Sequence, residues 1–355
     1  MLESAIIQQV LNAKLTAAEP PIRKKENIEV LGFLRAVAAL SVCLYHYTGA
    51  VLPKLRIESV REIFENGWLG VDVFFVISGF IIPYSLLGKG YKVSGFFAYM
   101  RKRIIRINPP AYAAMALVLA QGYIIDHFIA HRVVYTAGVS WGQILNNLFF
   151  TVPFSKYTWV VGIFWTLAIE FQFYIFIGVL FNVLFERVNL YVFVIIFLLM
   201  GPIQYLPFHS NESFFRFSSL FALGGSSLLY YTKRIDAKKY ALLLLVFTGA
   251  AYLELGLYIA ATGLLTTLCI SFIKFKNRVF DFLGKISYSF YLVHALIGTT
   301  CEYFLIKIIN PAVEVNKILM LIMCLAAAIA GSYIFYLVVE KRFMILATIL
   351  NRKKI

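Results

Sequence analysis

The chain has 355 residues, 61% of them hydrophobic, with a mean hydropathy of +0.80 and a formal net charge of +15. That apolar share lies far above the roughly 45–50% of soluble domains and excludes an ordinary water-soluble enzyme. Apolar runs long enough to cross a bilayer recur from end to end, so the expected fold class is all-α: a polytopic transmembrane helical bundle.

Residues 1–30 read as a polar cytoplasmic tail, 31–345 as one membrane domain and 346–355 as a basic cytoplasmic tail. No basic start with a short apolar core precedes the first span, which is expected to act as its own insertion signal. About ten spans are predicted, near 33–52, 67–87, 109–130, 159–184, 189–206, 214–232, 239–252, 255–273, 286–308 and 316–340, with the break between the seventh and eighth at Glu254. Most of the 33 Lys and Arg residues then fall on one side. The positive-inside rule makes that side, and both termini, cytoplasmic. The charge is therefore topology and excludes a nucleic-acid partner. A multi-pass protein of the inner (plasma) membrane, surrounded by membrane lipids, follows. There is no internal repeat, and a homo-oligomer stays open as an assembly. Cys43, Cys269, Cys301 and Cys324 show no metal or redox spacing and read as small core residues; no metal is expected.

The first span, FLRAVAALSVCLYHY, holds Arg35 and His46 eleven positions apart. At about 100° per residue this returns both side chains to one face, roughly 16 Å apart along the axis. A cation and an imidazole cost several kcal/mol in hydrocarbon, about 2.5–3.5 for a central Arg, so they imply a polar cavity. The second span places Asp72 in GVDVFFVISGF, where it serves the site, caps its helix or pairs with Arg61. The fourth places Glu170 in WTLAIEFQFY, at a depth His46 and Asp72 could share. An intramembrane histidine with a carboxylate partner is a general-base arrangement. Glu170 is the preferred partner and Asp72 the second; the plainer reading is a polar lock between helices.

Before the third span, RKRIIRINPP concentrates Arg101, Lys102, Arg103 and Arg106. Pro109 and Pro110 suit a helix start, and cations beside it suit a polyanion. The ninth span carries Ser287, Tyr291 and His294 as a polar stripe, either lining a cavity or bonding neighbouring helices. Glu340, before Lys341 and Arg342, reads as a surface anchor of the last span. Together these residues suit a donor with a phosphate-rich head on Arg101, Arg103, Arg106 and Arg35. Its arm would match the Arg35–His46 separation and carry a reactive group to His46. Acyl-coenzyme A fits.

The Arg35–His46 pair, GVDVFFVISGFII at 70–82, RKRIIRINPPAY at 101–112, WTLAIEFQFY at 165–174 and ISYSFYLVH at 286–294 occur in a familiar order. With them, from about 28 to 345, the chain resembles the membrane-bound acyltransferase family 3, integral-membrane O-acyltransferases of bacterial surface glycans. The resemblance implies transfer of an acyl group, usually acetyl, from cytoplasmic acetyl-CoA or another acyl-CoA to a hydroxyl of an extracytoplasmic or lipid-linked carbohydrate or glycolipid acceptor. His46 would be the essential base, or else carry a covalent acyl group. Arg35, Arg101, Arg103 and Arg106, with Ser287 and Tyr291, would bind the donor. Two positions depart from the family pattern: Gly32 stands where an Asp is common and Thr166 where Ser is usual. The contrasting reading is a secondary transporter of an anionic or glycolipid substrate, with Arg35 binding the anion and His46 relaying protons.

Overall fold

The computed structural model describes residues 28–206 and 210–352, so most of the expected N-terminal tail lies outside the described residues. Ten long helices fall on the ten predicted spans: α1 (Glu29–His46), α2 (Gly70–Tyr84), α3 (Phe96–Ile124), α4 (Phe164–Phe181), α5 (Leu190–Ile203), α6 (Phe214–Tyr231), α7 (Ala237–Leu255), α8 (Leu257–Phe272), α9 (Arg278–Leu305) and α10 (Glu314–Phe335). No strand occurs among the described residues. The segments Glu29–Val51, Glu58–Tyr84, Val93–Ile129, Phe164–Glu186 and Glu314–Leu350 are long and apolar enough to cross a membrane. The protein is thus an all-α, multi-pass membrane bundle.

Helix ends follow local chemistry. The side chains of Asn189, Asp236 and Asn277 accept backbone N–H groups that open α5, α7 and α9, satisfying donors that no preceding turn can reach. α7 and α8 part at Gly256, whose φ of +91° favours a residue without a Cβ. The break therefore comes two residues after the predicted Glu254.

The prolines do not start α3. That helix begins at Phe96 and carries Pro109 and Pro110 in its interior. Interior prolines are tolerated in membrane helices packed against neighbours, and beside these two the Tyr288 hydroxyl of α9 donates to the Ile107 carbonyl at 2.7 Å, tying the two helices together. The basic run 101–106 is therefore helical, which fixes which arginines share a face. At the other end, the helix Lys341–Arg352 packs on α3 and runs through the expected 345/346 boundary.

Between membrane helices, packing rather than water release holds the bundle. α2 and α6 cross where a Cβ on Gly79 would strike the Phe221 carbonyl and one on Gly224 the Val76 carbonyl. Rings of Phe75, Phe173, Phe214 and Phe221 fill the space beside this crossing, with centroids 4.2–5.3 Å apart around Phe221. α1 and α9 approach in the same manner, Gly284 lying against the Gly32 backbone. These two crossings bring α1, α2 and α9 around one polar interior.

Candidate active site

A cavity of about 690 Å³ lies among α1, α2, α3, α4 and α9. Arg35, Arg103, Arg106, Glu170, Ser287 and Tyr291 all line it. Arg35 Nε donates to Ser287 Oγ at 3.2 Å. Arg103 donates to Ser85 Oγ at 2.6 Å and lies 5.4 and 5.2 Å from the ring centres of Tyr99 and Tyr174. Such contacts hold a guanidinium in place while leaving its charge available. Arg101 is exposed and does not line the cavity. It points elsewhere because two residues of helix turn a side chain by about 200°, whereas 103 and 106 share a face.

Glu170 accepts from Ser78 Oγ at 3.0 Å and from the Tyr174 hydroxyl at 2.7 Å. It therefore belongs to the arginine-lined cavity, and none of its hydrogen bonds reaches His46. Asp72 is buried, 2% exposed, with one carboxylate oxygen unpartnered, and lines neither the cavity nor the recess around His46. The alternative pairing of Asp72 with Arg61 is not formed either; Arg61 binds Glu58 at 2.5 Å, one helical turn away. The carboxylate–histidine arrangement is thus absent among the described residues.

What faces His46 is a second imidazole. The His46 and His294 rings stack with centroids 5.4 Å apart and planes 29° apart. His294 is 1% exposed; its Nδ1 lies 2.8 Å from the Tyr291 carbonyl, so this nitrogen carries the hydrogen, and Nε2 has no partner. Tyr47 donates to the His294 carbonyl at 2.6 Å and ties the end of α1 to α9. His46 lines a separate recess of about 450 Å³ with Tyr45, Gly49, Ala50, Arg56 and Arg61. The ninth-span stripe links the two spaces: Ser287 and Tyr291 face the larger cavity, Tyr291 also meets the Thr166 hydroxyl at 3.0 Å, and His294 lies one turn further on.

Glu340 is not a surface anchor. It is 3% exposed, accepts from Ser289 N at 3.2 Å and Ser289 Oγ at 2.6 Å, and lines the arginine cavity. The wide turn Tyr336–Glu340 and the continuing helix Lys341–Arg352 bury the position that a chain ending at the membrane surface would expose. Asp281 was equally unforeseen. Its Oδ1 lies 2.9 Å from where a Cβ on Gly32 would stand, so α9 delivers a carboxylate to the Gly32 position of α1.

Comparison with known proteins agrees with this architecture. A family model described as "Acyltransferase domain" (Acyl_transf_3) matches residues 28–337. The chain is 31% identical over 169 residues to the protein named "Putative O-acetyltransferase SACOL0978" of Staphylococcus aureus (strain COL), covering 44% of this chain and 25% of the relative. It is 36% identical over 146 residues to "Putative acetyltransferase ORF330" of Acidianus two-tailed virus, covering 41% and 38%. It is 31% identical over 150 residues to "Putative peptidoglycan O-acetyltransferase YrhL" of Bacillus subtilis (strain 168), covering 40% and 22%. The chain thus spans between about a fifth and two fifths of the length of these relatives, 25%, 38% and 22% in turn. No solved structure matches the chain. With a family match running through both glycine crossings, the arginine cavity and His46, the chain belongs to the acyltransferase 3 family.

Proposed function

We propose that the protein is a membrane O-acyltransferase that moves an acyl group, acetyl first among candidates, from cytoplasmic acyl-CoA to a hydroxyl of an extracytoplasmic or lipid-linked carbohydrate. The observation that carries this reading is the placement of two spaces along α1, an arginine-lined cavity at Arg35 and a recess at His46. Arg35, Arg103 and Arg106 hold the donor phosphates, because guanidinium forks match phosphate oxygens. Glu170 and Glu340 counter part of that cationic field and keep the arginines apart. Ser287 holds Arg35, and Tyr291 lines the path of the pantetheine arm. In this reading Arg101 adds only surface charge, and Asp72 acts on helix packing.

At the far end His46 takes the proton of the acceptor hydroxyl as that oxygen bonds to the thioester carbonyl carbon. The carbon–sulfur bond then breaks, leaving an ester on the sugar, and the departing thiolate recovers a proton from the imidazolium. His294 supplies the wall against which the His46 ring is oriented. The membrane is the inner (plasma) membrane, with the arginine cavity facing the cytoplasm. Turnover of acetyl-CoA by the purified protein, with wild type compared to His46→Ala, tests the proposal.

A further inference from the structure

The recess around His46 has its own charge. α1 ends in the wide turn Tyr47–Val51, after which the chain folds back through Pro53–Leu55 into the short helix Glu58–Phe64. This return places two guanidiniums, Arg56 and Arg61, in the wall of the same small space as the His46 imidazole. Among the described residues, no carboxylate lines that space. The nearby Glu58 binds both, at 3.1 Å to Arg56 and 2.5 Å to Arg61, so two cations share one anion. Both pairs stand in solvent, with the Arg side chains 51% and 42% exposed, and exposed pairs are weakly held and easily exchanged. Lys317 donates to the Arg56 carbonyl at 3.2 Å and fixes this stretch of backbone to the start of α10.

The rest of the wall suits a sugar ring. Tyr45 offers an aromatic edge beside His46, their ring centres 5.3 Å apart. Gly49 contributes room, since a Cβ there would meet nothing within 4 Å. From this geometry we infer that the acceptor is an anionic carbohydrate, whose carboxylate or phosphate group is held by Arg56 and Arg61 while a neighbouring hydroxyl meets His46. Arg61 and Arg56 are then specificity-determining residues. The inference rests on the acyltransferase reading above and narrows its acceptor class.

The experiment uses the full chain in phosphatidylcholine vesicles, where the only anion offered beside the donor is on the sugar. Acetyl-CoA consumption is followed with methyl glucoside, methyl glucuronoside and glucose 1-phosphate as acceptors. Wild type should half-saturate at about tenfold lower concentration with at least one charged sugar than with the neutral one, the worth of one charge-assisted contact. The Arg56→Gln/Arg61→Gln double variant should bring that ratio close to one, and Arg56→Gln/Arg61→Lys should restore part of it. Whichever charged sugar shows the preference distinguishes carboxylate from phosphate recognition.

Equal loss with charged and neutral sugars would overturn the inference and make the arginines general transition-state stabilisers. An unchanged ratio in the double variant would overturn it, as would donor turnover that no sugar accelerates. Activity that depends on added phosphatidylglycerol, with no preference for sugar charge, would overturn it in favour of a lipid headgroup. Absence of acetyl-CoA turnover in wild type would instead sink the acyltransferase reading, and the inference with it.

Discussion

His46 stacks on His294, with ring centres 5.4 Å apart, although 248 residues separate them in the chain. At this separation and a 29° interplanar angle the two imidazoles pack directly on one another, so α9 helps to set where the His46 ring lies. The Nδ1 of His294 faces the Tyr291 and Phe290 carbonyls at 2.8 and 3.1 Å, which fixes its tautomer without any carboxylate.

Replacing His294 by Phe keeps a flat ring against His46 but removes its dipole and basicity. We expect kcat to fall roughly ten- to a hundredfold, toward the lower end of what a helper in general-base catalysis supplies, with little change in KM for acyl-CoA. Steady-state kinetics on the purified variant checks this split. A rise in KM at constant kcat would place His294 on the donor path instead.

The arginines should separate by helix face. Arg103→Ala and Arg106→Ala should weaken coenzyme A binding by about tenfold or more, since each removes a charge from the cavity wall. Arg101→Ala should change it less than about threefold, in line with the modest worth of exposed charges. Isothermal titration with coenzyme A in detergent resolves the difference. Equal losses at all three positions would indicate a diffuse field rather than a built site.

Gly32 and Asp281 form a reciprocal pair. A Cβ at position 32 would stand 2.9 Å from Asp281 Oδ1, so Gly32→Asp alone forces two carboxylates together and should sharply reduce activity or stability. Exchanging both, as Gly32→Asp/Asp281→Gly, should recover a substantial part of what the single change loses. A double-mutant cycle on donor turnover and on melting temperature measures the coupling. Simple addition of the two effects would show that the carboxylates do not occupy one place.

The α2–α6 crossing should be intolerant of volume. Gly224→Val would drive side-chain atoms into the Val76 carbonyl and the backbone beyond it, and we expect a cost of about 1–3 kcal/mol. Gly249→Ala, where a Cβ meets nothing within 4 Å, should be neutral or slightly stabilising. Thermal unfolding in a fixed detergent compares the two directly.

Much of the fold is legible because bilayer thickness is a strong constraint: ten long apolar runs became ten helices. Arg35 and His46 could be placed on one face from spacing alone, since both lie on one helix. What could not be read were contacts between helices far apart in sequence. Glu340 looks interfacial until the helix after it is known. Asp281 reaches Gly32 only through the α1–α9 crossing, and His294 reaches His46 the same way. The prolines at 109 and 110 misdirected the start of α3, because the helix runs on through both of them. Knowing that start is what separates Arg103 and Arg106 from Arg101. Glu170 shares a helix with Tyr174, so its real partner was four residues away, while depth alone suggested His46.

Acetyl-CoA turnover by the purified protein in vesicles, with wild type compared to His46→Ala and Arg35→Ala at matched folded amounts, tests the central claim most directly. The account predicts slow thioester consumption by wild type, a loss of about a hundredfold or more in His46→Ala as expected for a general base, and a raised donor KM in Arg35→Ala. Wild-type turnover retained in full by His46→Ala would contradict it.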